Sequence, residues 1–181
     1  FIATVENIDN KETYDTLFLT GLRIGELCAL RWCDLDLEHK KLSVRGSFST
    51  ASRKVTSPKT KTSIRTIDLP NRLVGELKQR YERKKKLDGF NDLYYVFGDI
   101  AVTWPGTFRY RFNNDLKNAD VKRITIHGFR HSHASYLLSN PMISESLVAE
   151  RLGHSIDMLR STYAHIYEKR RTALVEYIEK L

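Results

Sequence analysis

Cysteine is scarce in this sequence. The two that occur, Cys28 and Cys33, are spaced as neither a CxxC redox pair nor a zinc knuckle, which excludes a disulfide framework and a cysteine-held metal and leaves two reduced thiols. No apolar run approaches the length of a membrane span, and no basic segment followed by an apolar stretch opens the chain, so neither a membrane-spanning nor a secreted class is supported and a cytoplasmic location is expected. Repeats and low-complexity tracts are missing as well. The most informative absence is of one sign of charge. Between His39 and Ile67 there is no acidic residue, while Lys40, Lys41, Arg45, Arg53, Lys54, Lys59, Lys61 and Arg65 supply eight positive charges. The other 22 basic residues only balance the 22 acidic ones, so the whole net charge of +8 resides in this segment. A solvated surface more often intersperses both signs, and the segment therefore points to a polyanionic partner such as a phosphate backbone.

What is present supports a packed domain. With 181 residues, 41% hydrophobic and 10% aromatic, the chain is long enough for one well-packed core and short for two. It opens at Phe1 without methionine in a stretch, FIATVEN, that reads as partway through a helix, and a longer parent protein is expected. Helical spacing follows over 11–20, with Tyr14, Leu17 and Phe18 as a stripe and Gly21 as a stop. A short second helix near Arg23 buries Ile24, Leu27 and Cys28 and leaves Arg23 and Glu26 together on another side. Within the basic segment the period changes to two: LSVR, KVT and IRTIDL suit short strands of a small antiparallel sheet, with Lys59 and Lys61 in or beside a hairpin loop. After Pro70 come helices over 71–86 and 107–118, with a strand candidate at 94–97 between them. The stretch HGFRHSHASYLL forms a further helix, ended by Asn140 and Pro141. Three more span 144–152, 156–164 and 168–181. The predicted class is mainly α with a small antiparallel β-sheet.

HGFRHSHASYLL carries chemistry beyond its apolar stripe of Phe129, His133, Tyr136 and Leu137, because His127 and Arg130 are neighbours on a different sector near the helix start, where an anion is favoured. Together with TGLRIGELCALRW, SPKTKTSIRTIDLP and RLGHSIDMLRSTYAH, in this order and spacing, it resembles the catalytic domain of the tyrosine recombinases, the phage and conjugative-transposon integrases in particular. Each piece alone is weak; the four in series cover nearly the whole chain. The resemblance implies that Arg23 is the first catalytic arginine, steadied by Glu26. It implies that His127 and Arg130 are the family's histidine and second arginine, that His154 holds the position taken by histidine or tryptophan, and that Tyr163 is the nucleophile. It also places a general-acid lysine in the hairpin, Lys59 on the strength of PKT, with Lys61 as the alternative. Lys54, Lys61 and Arg65 would then touch the DNA backbone.

The chemistry supports these matches. Two arginines can grip the non-bridging oxygens of a phosphodiester with forked hydrogen bonds. A free phenol, with a pKa of about 10, needs cations and a base to become a nucleophile at neutral pH. His127 is the expected proton acceptor, and His154 is expected to hydrogen-bond the phosphate. Tyr167, one turn beyond Tyr163, is the nearest rival nucleophile, and the LGH spacing selects Tyr163. His131 and His133 match nothing in the pattern: His133 is expected in the core and His131 facing solvent or DNA. His127 and His131 are spaced as a metal pair, but the HExxH arrangement and a third ligand are lacking, and neither metal nor cofactor is expected.

The implied activity is site-specific DNA recombination through a 3′-phosphotyrosyl intermediate, with duplex DNA and the other protomers of a synaptic tetramer as partners, helped by accessory directionality or DNA-bending proteins. The chain is expected to be the catalytic domain, without the N-terminal DNA-binding domain usual in the family. Two alternatives stay open here. A topoisomerase-like relaxer would share the tyrosine ester but rejoin the original strand, and an architectural module would contact phosphates without any covalent product.

Overall fold

The computed structural model describes residues 1–57, 63–119 and 121–180. A single 3-10 turn, Ile2–Thr4, stands where the opening stretch suggested a helix. Helix α1, Ile8–Thr20, starts one turn earlier than the periodicity indicated, because the Asn7 side chain caps it by accepting from the Asn10 N–H at 3.0 Å. It stops at Gly21, whose φ of +68° only glycine takes readily; a Cβ there would lie 2.7 Å from the His133 ring and 2.8 Å from Leu152. Helix α2, Ile24–Ala29, follows at once.

The basic segment forms two small antiparallel sheets rather than one. Strands β1 (Leu35–Asp36), β2 (Lys41–Val44) and β5 (Arg65–Asp68) pair in the order β1-β2-β5, and β3 (Ser47–Ser49) pairs with β4 (Lys54–Thr56) as a separate hairpin. In the larger sheet Leu42 faces Ile67, and both are buried with Val44 on the core side of the pleat. Helices α3 (Asn71–Lys84) and α4 (Pro105–Lys117) follow, the latter with proline in its first turn. The expected strand at 94–97 does not form: Tyr95 makes one isolated bridge to Arg31, and the segment otherwise runs as turns.

Helices α5 (Gly128–Ser139), α6 (Glu145–Leu152), α7 (Ile156–Thr162) and α8 (Ala164–Ile178) complete the order. Side chains divide between two apolar clusters. The larger gathers α1 to α4 and the three-stranded sheet around an aromatic group in which the rings of Phe1, Tyr14, Phe112 and Phe129 lie 5.3–6.2 Å apart. The smaller contains Ala134, Leu138, Val148, Ala149, Leu152, Leu159, Tyr163 and Ile166. Helix α5 joins them, with Phe129 in the first and Leu138 in the second. Its buried face is Phe129, Arg130, His133, Ala134 and Leu138; Tyr136, expected in the stripe, is 74% exposed. Burial pushes the Cys28 thiol up to about 12, which makes it inert, while Cys33 is exposed.

Candidate active site

Arg23 and Glu26 are held by local structure. Arg23 is the N-cap of α2 and Glu26 its third residue. The Glu26 carboxylate accepts from the Arg23 backbone N–H at 2.9 Å and from its Nη1 at 3.0 Å, closing the start of the helix on itself. Burial alone would raise the Glu26 pKa, but hydrogen bonds and charge from Arg65, with help from Arg23, hold it below the ordinary carboxylate range. The Arg65 guanidinium donates to both oxygens, Nη1 to Oε1 at 3.1 Å and Nη2 to Oε2 at 2.9 Å, while its Nε donates to the Arg151 carbonyl at 2.7 Å. The Arg65 side chain is 3% exposed and that of Arg23 is 36% exposed. The sequence-based expectation that Arg65 touches DNA is therefore corrected: it is spent inside the protein, binding β5 to α2 and α6 and fixing the carboxylate that aims Arg23.

Arg130 is placed by the first turn of α5 and is buried. Its Nη1 donates to the Gly21 carbonyl at 2.6 Å, and its Nη2 to the Leu152 carbonyl at 2.7 Å. These carbonyls lie at the ends of α1 and α6, where helical acceptors have no partner of their own and a cation is favoured. Burial and the charge of Arg23 lower the Arg130 pKa to about 10, so the group stays charged at neutral pH. Arg151 acts similarly one layer away, donating to the Leu19 carbonyl at 2.8 Å and, through Nε, to His133 Nε2 at 3.0 Å. Burial and Arg151 push His133 down to about 4, so the ring is a neutral core member, as its position suggested.

The histidines and the tyrosine meet around Arg130. His154 follows the α6 C-cap Gly153, and its Nε2 lies 2.8 Å from Arg130 Nη2. Since a guanidinium only donates, Nε2 accepts and the proton sits on Nδ1. Burial, then Arg130, lowers its pKa to about 4. In this arrangement His154 offers no Nε2 donor to a phosphate, and that role requires Arg130 to release it. Tyr163 interrupts the helix expected over 156–164. With φ −115° and ψ 30° it separates α7 from α8, and its side chain is buried in the smaller cluster. Burial raises the phenol's pKa, and the charge of Arg130 pulls it partly back.

The group hydrogen-bonded to the Tyr163 phenol is His131: Nδ1 lies 3.1 Å from Oη. His127, the expected partner, packs edge-on against His131 with ring centroids 4.7 Å apart, and its pKa is lowered by burial, by His131 and by Arg130 and Arg23. Sequence reasoning missed His131, although the i, i+4 step from His127 already put both rings on one helix face. Arg23, Glu26, Arg130, His154 and Tyr163 thus come together from four separated segments, with His127 beside them and Arg65 behind Glu26. Lys54 is exposed on β4, as is His165 on α8. Lys59 and Lys61 lie outside the described residues. Among the described residues no group of three or more His, Cys, Asp or Glu side chains is arranged to hold a metal, and no helix is long and apolar enough to cross a membrane.

Comparison with known proteins bears on this arrangement. The model of the phage integrase family matches residues 1–170. The ICEBs1 integrase of Bacillus subtilis (strain 168) is 31% identical over 182 positions, which cover 94% of this chain and 49% of that protein. A XerC-like tyrosine recombinase of Caldanaerobacter subterraneus subsp. tengcongensis is 33% identical over 186 positions, covering 91% of this chain and 47% of its own. The chain spans about half the length of these curated relatives. Its fold matches the crystal structure of XerA recombinase with a TM-score of 0.73 at 24% identity, over 94% of this chain and 60% of that one. It also matches the Tn1549 transposon integrase in complex with transposon right end DNA, with a TM-score of 0.66 at 23% identity, over 92% and 58%. At these identities the structural likeness is one of fold. With the family model spanning residues 1–170 and both curated relatives above 30% identity over nine-tenths of its length, the chain belongs to the phage integrase family of tyrosine recombinases.

Proposed function

We propose that this chain is the catalytic domain of a site-specific DNA recombinase, an integrase, which cuts and rejoins strands through a 3′-phosphotyrosyl intermediate. Tyr163 attacks the scissile phosphate, Arg23 and Arg130 hold its non-bridging oxygens and stabilise the charge gathering there, and Lys59, or Lys61 in its place, protonates the departing 5′ oxygen. His154 joins the phosphate once Arg130 turns to it, and Lys54 contacts backbone. The 5′ hydroxyl of another strand reverses the step. One phosphate ester replaces another, so the bond's energy is retained and no nucleotide cofactor is required. Duplex DNA is the partner, a synaptic tetramer with accessory directionality or bending proteins the working assembly, and the cytoplasm the site of action.

The observation that carries this reading is the convergence on one buried phenol of two separated segments, α5 bringing the hydrogen-bonded His131 and the charge of Arg130, and the turn after α6 bringing His154 through Arg130. An architectural phosphate binder has no need of a tyrosine so placed, and a relaxer would restore only the original strand. The test uses the intact protein and a pool of nicked duplexes with randomised sequence, resolved on a denaturing gel. A DNA-linked protein band is expected from the wild type and is absent from Tyr163→Phe. Equal bands from both, or none from the wild type, overturn the reading, and sequencing the trapped duplexes gives the preferred site. Adding a second intact site then yields new junctions from a recombinase and none from a relaxer.

A further inference from the structure

We infer that Arg151 is a positioning residue of this site: its guanidinium joins α6 to the ends of α1 and β5, and so sets the gap between Arg23 on one side and Arg130 and His154 on the other. The inference rests on the strand-transfer reading above and concerns a residue to which the family resemblance gave no role. Three observations carry it. Each nitrogen of the Arg151 guanidinium is spent inside the protein: Nη2 donates to the Leu19 carbonyl at 2.8 Å, Nη1 to the Asp68 carbonyl at 3.1 Å and Nε to His133 Nε2 at 3.0 Å. Acceptors on three elements thus fix one planar group, which a single ammonium could not reach together.

The end of α6 is also fully accounted for. The carbonyls of Ala149 and Glu150 accept from the backbone N–H groups of His154 and Gly153 at 2.9 and 3.0 Å, that of Arg151 from Arg65 Nε at 2.7 Å, and that of Leu152 from Arg130 Nη2 at 2.7 Å. His154 is therefore carried by whatever holds this helix end. On the facing side, α1 leads through Gly21 and Leu22 straight to Arg23. The Gly21 carbonyl accepts from Arg130 Nη1 at 2.6 Å, and a Cβ on Gly21 would lie 2.7 Å from the His133 ring. The joint is packed as well as bonded.

Arg130 does not make Arg151 redundant. In the proposed reaction Arg130 turns to the phosphate and its hold on the two carbonyls weakens, so the polar contacts that then keep α6 in place are those of Arg65 and Arg151. Arg65 ties the helix end to Glu26 of α2, and Arg151 ties it to α1 and β5, so the two act from different directions. A gap altered by about 1 Å would misaim the guanidinium groups at the non-bridging oxygens, and errors of that size cost about 10²-fold in rate.

The test compares single-turnover cleavage by the intact protein on duplexes selected from the randomised pool, with the scissile phosphate either natural or replaced by an uncharged methylphosphonate. The ratio of the two rates reports how well the arginines grip charged oxygens, and it does not depend on how much of the protein is folded. Arg151→Met removes the donors and keeps much of the bulk. It is expected to cleave the natural phosphate roughly 10- to 10²-fold more slowly, with the half-saturating DNA concentration within about threefold of the wild type's, and its ratio is expected to fall about tenfold. Arg151→Lys, which keeps the charge without the fork, is expected to lie between the two. Leu73→Ala, which lowers stability away from the site, is expected to keep the wild-type ratio. The inference is overturned if Arg151→Met keeps the wild-type rate, or if its rate falls with the ratio unchanged, the pattern of lost folding alone. Where Arg151→Met yields no folded protein, Arg151→Lys decides: a lowered ratio supports the inference and a wild-type ratio overturns it. Failure of the enzyme reading is distinguishable, since there Tyr163→Phe matches the wild type on both substrates.

Discussion

The two apolar clusters are built differently. The larger one is aromatic and double-locked: its rings pack on one another, and Arg80, over the Phe97 ring, donates to Asp9 and Glu12 at 2.6 Å each and to the Val96 carbonyl at 2.7 Å. The smaller one is aliphatic apart from Tyr163, and the helix that closes it, α8, leaves Leu174, Val175, Tyr177 and Ile178 more than half exposed. The division separates chemical tasks. Arg23 and Glu26, with Arg65 behind them, are fixed to the larger cluster, where preorganised cations are most effective, whereas Tyr163, the proposed nucleophile, is buried in the smaller one. Regions with exposed apolar side chains and fewer neighbours open more readily, so in the proposed reaction Tyr163 is the part of the site expected to move relative to Arg23.

Arg130 is the seam between the clusters, and removing it should do the most damage. Arg130→Ala leaves the Gly21 and Leu152 carbonyls without their donor and removes the proposed grip on the phosphate. Covalent product on the denaturing gel is expected to fall by at least about 10³-fold, with Arg130→Lys recovering only part because one ammonium cannot fork to both carbonyls.

Glu26 tests the rigid side. Glu26→Ala strands the buried Arg65 charge, and urea denaturation is expected to show a loss of about 3–5 kcal/mol. The double variant Glu26→Met, Arg65→Met should lose less than the single one, because no uncompensated charge remains. If it loses more, Arg65 holds the fold by something besides this carboxylate.

Cavities sharpen the contrast. Leu73→Ala in the larger cluster and Leu159→Ala in the smaller, both fully buried, should each cost about 2–5 kcal/mol of local stability. Hydrogen exchange should show the first loosening the whole domain and the second freeing α7 and α8 alone. Equal spread from both would mean that the two clusters behave as one.

The smallest effect concerns pH. Buried His133 is held neutral at a pKa of about 4, below the unfolded value of about 6.5. Between those values the unfolded chain binds more protons, so this contribution is complete above about pH 6.5 and is lost as pH falls through about 4, a change of up to about 3 kcal/mol. Denaturation at pH 7 and pH 4 should show a shallower acid loss in His133→Asn than in the wild type. Carboxylates such as Glu26, whose pKa is lowered, add an acid loss common to both proteins.

Much of this was legible in the chain itself. The stops at Gly21 and Asn140, the Arg23–Glu26 pair and the placing of His133 in the core follow from short-range pattern. The errors share one cause. Arg65 looked like one more charge in a basic strand, and only the carboxylate and carbonyl brought to it from α2 and α6 turned it inward. Tyr136 lay on the predicted stripe, yet the position of α8 and α6 shifted the buried face to Leu138. The strand predicted over 94–97 found only the single bridge to Arg31 to pair with.

Local periodicity and caps set the helices and the basic segment, since each depends on neighbours within a turn or two, and the order of the polar motifs carried the resemblance that names the residues proposed to grip and attack a phosphate. Which histidine faces the phenol, which arginine is spent inside and which is left open were decided by packing between segments far apart in the chain, as the 109 residues from Gly21 to Arg130. Hydrogen bonds act over about 3 Å, and only the folded chain brings such distant groups that close.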